Sequence, residues 1–248
     1  MAVVQAKSGV VHYPESDGKP MAESPEHLEV MLSLIVSLQA YFADRQDVYV
    51  AGNQFLYWVE GNPRQRVAPD VYVVFGVPRR PWRATWKVWE TGKAPDLIIE
   101  LTSPSTASED LGRKYQLYQR LKVGEYVLID VKHEYLKEPL NLYRLESNAY
   151  QRVPNEHPYS GEWRVHSELL GLTFVLVPGE SGYQVRLWEP QRERWLPNPV
   201  EVVEQYELAQ HQVRELERRF AQEAQARAQL EERVRELEEE LRRLKEGQ

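Results

Sequence analysis

The chain has 248 residues, 42% hydrophobic and 28% charged, with no cysteine and a formal net charge of -7. That length supports one large self-sufficient domain, or one domain with an appendage, and the missing cysteines exclude disulfide frameworks, cysteine-ligated metal sites and thiol catalysis. The acidic balance argues against indiscriminate, charge-driven nucleic-acid binding, and no apolar run approaches the ~20 residues of a membrane span.

In chain order, the opening MAVVQAKSGVVHYPES holds one lysine and no long apolar core, so no secretory signal and a cytoplasmic location are expected. Ser24-Pro25 is a helix start, with serine as cap and proline at the first helical position. Leu28, Met31, Leu32, Ile35, Leu38 and Phe42 then mark one helical face. Short strands are expected at Val48–Ala51, Gln54–Val59, Val71–Phe75 and Leu97–Thr102. Between them, residues 61–93 carry Arg64, Arg66, Arg79, Arg80, Arg83, Lys87 and Lys93 against only Asp70 and Glu90, with Trp82, Trp86 and Trp89 interleaved. Basic residues mixed with aromatics suit a phosphate backbone, and they equally suit a solvated loop whose tryptophans pack on the core.

Thr106 and Glu109 form a capping-box signature for a second helix, which runs to about Lys122 and is stopped by Gly124. Tyr126–Val131 is the next strand. Leu140–Leu145, Ala149–Val153, Phe174–Val177 and Tyr183–Glu189 read as further β segments. Three prolines in 188–199 mark a linker at 191–199 between a domain at 1–190 and a helix at 200–247. In that helix Val213, Leu216, Phe220, Leu230, Val234, Leu237, Leu241 and Leu244 repeat in alternating steps of three and four, broken only by Glu223 and Arg227. This predicts a coiled coil and a homodimer, in either orientation.

Three acids stand where folding alone would not put them. Asp70 follows Pro69 at the mouth of a strand. Alternation places Asp96, Ile98, Glu100 and Thr102 on one face of the next, and Glu100 there is costly unless paired or metal-bound. Asp130 ends an apolar run. On the second helix Leu111, Tyr115, Leu117, Tyr118 and Leu121 define the sheet-facing side, and Lys114 falls within that stripe. Two carboxylates and a lysine suit Mg²⁺-dependent hydrolysis of a phosphodiester, the lysine orienting water or offsetting charge.

These segments resemble the Uma-two family of endonucleases, within the PD-(D/E)XK restriction-endonuclease-like superfamily. The resemblance rests on His27, APDVYVVFG at 68–76, APDLIIELTSPST at 94–106, Asp110 and Lys114 in EDLGRKYQLY, and VGEYVLID at 123–130. It implies an α+β (α/β) fold, a mixed central sheet flanked by helices, here extended by the C-terminal coiled-coil helix. It further implies Mg²⁺ or Mn²⁺ at Asp70 and Glu100, with Lys114 as the third catalytic residue and DNA as partner. The lysine of E-x-K is replaced by Thr102, and Lys114 on the following helix is the position that matches. Asp96 is a candidate for a second ion, His27, Thr102 and Asp130 for supporting roles, and Arg64, Arg66, Arg79, Arg80, Arg83 and Lys87 for contacts to nucleic acid. The alternatives are a catalytically inactive nucleic-acid-binding or scaffold protein of the same fold, and a phosphodiesterase acting on RNA.

Overall fold

A computed structural model describes residues 11–16, 24–157, 159, 161–180 and 182–246. Ser24 caps the first helix as its sequence predicts: the hydroxyl accepts the His27 N–H at 3.2 Å, and Pro25 opens α1 (Pro25–Tyr41). The buried stripe of α1 is rotated from the expected one. Val30, Met31, Leu34, Ser37 and Leu38 face the core, whereas Leu28 and Leu32 are exposed.

The chain continues through β1 (Val48–Ala51), β2 (Leu56–Tyr57), β3 (Arg66–Val67), β4 (Val71–Phe75), β5 (Trp86–Lys87), α2 (Val88–Thr91) and β6 (Leu97–Leu101). A helical run follows, made of α3 (Ala107–Glu109), a π-helical turn (Asp110–Lys114) and α4 (Tyr115–Arg120). Then come β7 (Glu125–Ile129), β8 (Leu140–Glu146), β9 (Ala149–Val153), β10 (Trp163–Ser167), β11 (Leu172–Gly179), β12 (Gly182–Glu189), β13 (Arg194–Trp195) and α5 (Pro199–Glu246).

The central sheet has strand order β1-β4-β6-β7-β8-β9, antiparallel except for the parallel pair β6/β7. A parallel pair requires a crossover, and the run α3–α4 supplies it. Both faces of the sheet are covered, which is why its middle strands read as unbroken apolar runs. Val71, Val73, Leu97, Ile99, Leu101 and Val127 pack with α1 and with Phe174, Leu176 and Leu187 of a second sheet, β10-β11-β12-β13. Tyr72, Val74, Ile98, Tyr126 and Leu128 face the other way, onto Leu117 and Tyr118 of α4 and onto Leu56 and Trp86 of a small sheet, β3-β2-β5. The alternation predicted for β6 therefore holds, inside the mixed sheet flanked by helices that the sequence leads one to expect.

The second helix departs from expectation at both ends and in the middle. Thr106 makes no side-chain cap; its hydroxyl instead accepts the Ser103 N–H at 3.0 Å. The helix ends at Arg120 with Leu121 as its C-cap, short of the expected Lys122, and the left-handed residue that follows is Lys122 at φ 62°, not Gly124. Gly124 serves another need, because a Cβ there would lie 2.9 Å from Leu169 Cδ1 and 3.2 Å from the Asp96 carbonyl oxygen. In between, the π-helical turn inserts one extra residue. Everything N-terminal to it is rotated by about 100°, the angle of one helical residue. Asp110 thus takes the azimuth that an uninterrupted α-helix gives to Leu111, and Leu111 is 47% exposed.

β10 went unpredicted because in Trp163–Ser167 only Val165 and Ser167 are buried, too short a pattern to stand out between Arg164 and His166. The proline-rich stretch is held down: β13 pairs with β12, Leu196 is buried, and Ser37 Oγ donates to the Pro197 carbonyl at 2.8 Å. The chain divides into two compact units between Pro199 and Val200. The second is the bulk of α5, a 48-residue helix whose apolar residues from Val203 to Leu241 are exposed; the side chain of Leu244 lies outside the described residues. Among the described residues, no helix is long and apolar enough to cross a membrane.

Candidate active site

Val71 pairs with Ile99, and the same antiparallel register, continued by one residue, sets Asp70 opposite Glu100. Asp70 is fixed from three sides. Its Oδ2 accepts the Leu101 N–H at 2.7 Å, and its Oδ1 lies 3.3 Å from His27 Nε2 in the first turn of α1. Beneath it runs Gly52, where a Cβ would come within 2.0 Å of the Asp70 carbonyl oxygen. Only glycine permits that approach.

Glu100 is 1% exposed. Its Oε1 accepts the Tyr118 hydroxyl at 2.6 Å, and its Oε2 lies 2.9 Å from Lys114 Nζ. Lys114 also sits 2.9 Å from Asp110 Oδ1, so one ammonium bridges two buried carboxylates. The Asp110 contact lacks hydrogen-bond geometry, and both Asp110 oxygens are without a hydrogen bond. Burial, reinforced by Asp70 and Asp110, pushes the Glu100 carboxyl up to about 8 against the pull of Lys114. Burial raises Asp110 as well. It works the other way on Lys114, but the two carboxylates outweigh it and hold the ammonium above its ordinary range. The pair therefore consists of a firmly charged lysine and a carboxylate that protonates easily.

Asp70, Lys114, Thr102, Asp130 and His27 line a cleft of about 890 Å³ at the C-terminal ends of β6 and β7. Asp130 Oδ2 accepts the N–H groups of Tyr135 and Leu136 at 2.6 and 2.8 Å, which fixes the turn after β7. Its Oδ1 and the Thr102 hydroxyl are buried without a hydrogen bond. Glu100 stands behind Lys114, in the wall. Gln116 is exposed.

Asp96 does not join this group. It shares the Glu100 face but lies four residues back along β6, roughly 13 Å away at strand rise. There its Oδ2 accepts the Phe75 N–H at 2.7 Å, and Lys93 Nζ lies 2.8 Å from the carboxylate. Facing is legible in the sequence, but a shared face leaves the distance along the strand open. Asp110, Tyr118 and Gly52 are the residues that sequence reasoning left without a role. Tyr118 was recognised only as part of an apolar stripe, and nothing in the sequence signals Gly52.

Four of the basic residues lie over aromatic rings. The Arg66 guanidinium is 4.7 Å from the Phe55 ring centre, and Phe55 lines the cleft. Arg80 lies 4.1 Å over Trp82, Arg83 5.1 Å over Tyr49, and Lys87 5.0 Å over Tyr13. Arg79 follows the far end of β4, so that strand separates it from Asp70. Arg64, which donates its N–H to Asn62 at 3.2 Å, and the other five do not line the cleft. Among the described residues, no three His, Asp or Glu side chains are gathered as a metal cluster.

A family model described as "Uma2: Putative restriction endonuclease" matches residues 10–177. Among solved structures, a crystal structure of "a putative nuclease belonging to DUF820 from Anabaena variabilis ATCC 29413" is 15% identical, covering 66% of this chain and 76% of that chain with a TM-score of 0.41. No curated protein matches the chain.

Proposed function

The chain belongs to the Uma2 family, and on that premise we propose that it is a Mg²⁺- or Mn²⁺-dependent endonuclease hydrolysing DNA phosphodiester bonds. The observation that carries this reading is that Asp70 and Lys114, from separate elements, line one cleft, with Glu100 opposite Asp70 in register and ion-paired to Lys114 in the wall behind it. The cleft offers oxygen donors that suit a hard divalent cation, Asp70 in its wall and an Asp130 oxygen buried without a hydrogen bond, with the His27 imidazole as a nitrogen beside them. Asp70 and Glu100 would hold the ion, which supplies Lewis acidity toward a phosphoryl oxygen and lowers the pKa of bound water.

The chain's own residues do the rest. His27 and the Leu101 N–H orient the Asp70 carboxylate. Tyr118 fixes Glu100. Lys114, held between Glu100 and Asp110 yet reaching the cleft, presents a positive charge to the phosphate and offsets charge developing on it. Arg66, over a cleft-lining ring, and with it Arg64, Arg79, Arg80, Arg83 and Lys87, would supply positive charge to the nucleic-acid backbone. In this reading residues 1–190 carry the site, 191–199 connect, and 200–247 join two copies as a coiled coil.

The test is cleavage of plasmid, linear duplex, single-stranded DNA and RNA with Mn²⁺, comparing wild type with Lys114→Ala. Cleavage of DNA by wild type and its loss in the variant is expected. Equal cleavage by both would expose a contaminant. Calorimetric Mn²⁺ binding that survives in Asp70→Asn and Glu100→Gln would move the metal elsewhere and end the proposal.

A further inference from the structure

Helix α5 carries its apolar residues in the open: Val213, Leu216, Phe220, Leu230, Val234 and Leu237 are each between 46% and 68% exposed. They form two interleaved heptad series, and each series is broken once, by Arg227 in one and Glu223 in the other. Resting on the self-association proposed above, we infer that α5 pairs with a second copy of itself in antiparallel orientation, about a twofold axis at Gln225.

The seam itself supplies the argument. In a parallel coil every seam residue meets its own copy, so Glu223 faces the partner's Glu223 and Arg227 the partner's Arg227. Both are like-charge contacts in the most desolvated part of the interface. In an antiparallel coil the two series meet each other. Centred on Gln225, Ala209 lies against the partner's Leu241, Val213 against the partner's Leu237, Leu216 against the partner's Val234, and Phe220 against the partner's Leu230. The remaining layer sets Glu223 against the partner's Arg227. Every apolar residue finds an apolar one, and the one acid meets the one base. Ala224 and Ala226 flank the axis without charge, leaving the pair room to close.

The rim favours the opposite arrangement. A parallel coil places Arg233 near the partner's Glu238 and Glu240 near the partner's Lys245, while the antiparallel one brings Glu217 toward the partner's Glu231. Charges at the rim of a coil are screened by solvent, so they weigh less than charges in the seam. Arg227 lies 3.0 Å from Glu231 of its own helix, but with the arginine 81% exposed that contact exchanges easily.

The absence of cysteine makes the test clean, since one introduced cysteine gives one spin label per chain. In the full-length protein, labels at Glu204→Cys and Gln225→Cys occupy the outer face of the helix. The antiparallel coil predicts a label separation of roughly 25 Å at 225 and roughly 65 Å at 204, from the helix rise and diameter. Short distances at both positions would overturn the antiparallel pairing and leave the dimer standing. No dipolar coupling at either, as from a helix folded back on its own chain, would overturn the dimer as well. Neither result depends on nuclease activity, so the failure of that reading remains separate. Glu223→Arg is expected to weaken dimerisation about tenfold by placing arginine against arginine, and adding Arg227→Glu to restore it. An unchanged dissociation constant in Glu223→Arg would also refute the pairing.

Discussion

Replacing Lys114 by methionine keeps most of the stem and removes the one cation shared by Glu100 and Asp110. In the wild type Glu100 is pushed up to about 8, above the ordinary carboxylate range it has in the unfolded chain. A raised carboxyl favours the folded state at low pH. Its contribution is complete below about 4.5 and fades as pH climbs through 8. At about 1.4 kcal/mol per pH unit, metal-free wild type loses about 3 kcal/mol from this group between pH 6 and pH 9. Without the ammonium only the Tyr118 hydroxyl still favours the ionised form, so Glu100 is pushed higher and the decline extends further toward alkaline pH. Breaking a buried pair from one side costs about 3–5 kcal/mol, and the penalty grows toward the alkaline end, where wild type has an ionised Glu100 for the ammonium to pair with. The measurement is urea unfolding in EDTA at pH 6 and pH 9. A penalty that does not change between the two, or one below about 1 kcal/mol at pH 9, would refute the electrostatic account of the site.

Glu100→Gln should flatten the pH dependence of wild type, removing the decline of about 3 kcal/mol between pH 6 and 9; an unaltered slope would assign it to another group. Gly52→Ala should cost about 1–3 kcal/mol and weaken Mn²⁺ binding, because a Cβ at 2.0 Å from a main-chain oxygen displaces Asp70 itself; unchanged thermal unfolding and affinity would count against the close approach. Tyr118→Phe removes a 2.6 Å hydrogen bond to a buried carboxylate, and a stability loss of about 1–3 kcal/mol is expected in denaturant titration. No loss there would mean that Glu100 is held by Lys114 alone.

The central elements were legible because both faces of the sheet are buried. Val71–Phe75 and Leu97–Leu101 announce themselves as apolar runs, and the acids interrupting or bordering them stand out for the same reason. Lys114 was found by helical facing, yet its neighbour Leu111 was misplaced, since a periodicity argument assumes an unbroken α-helix. The face of α1 was misread for a related reason. Leucine is a poor marker of burial on this helix, where Leu28 and Leu32 are exposed and Ser37 is buried against the Pro197 carbonyl. Asp96 shows the complementary gap, because sharing a face does not mean sharing a place. What decides Gly52 is a tertiary contact between β1 and Asp70, which no local pattern encodes.

The π-helical turn has a consequence for charge balance. An α-helix already sets residues four apart on one side, so Asp110 would neighbour Lys114 with or without the turn; what the turn adds is a roll of about 100° that seats Asp110 in the wall, 1% exposed, and leaves Leu111 outside. The charge of this wall therefore follows from a backbone length as well as from a side chain: taking one residue out of the turn, or replacing Asp110 by leucine, would each remove a buried carboxylate from the wall beside Lys114.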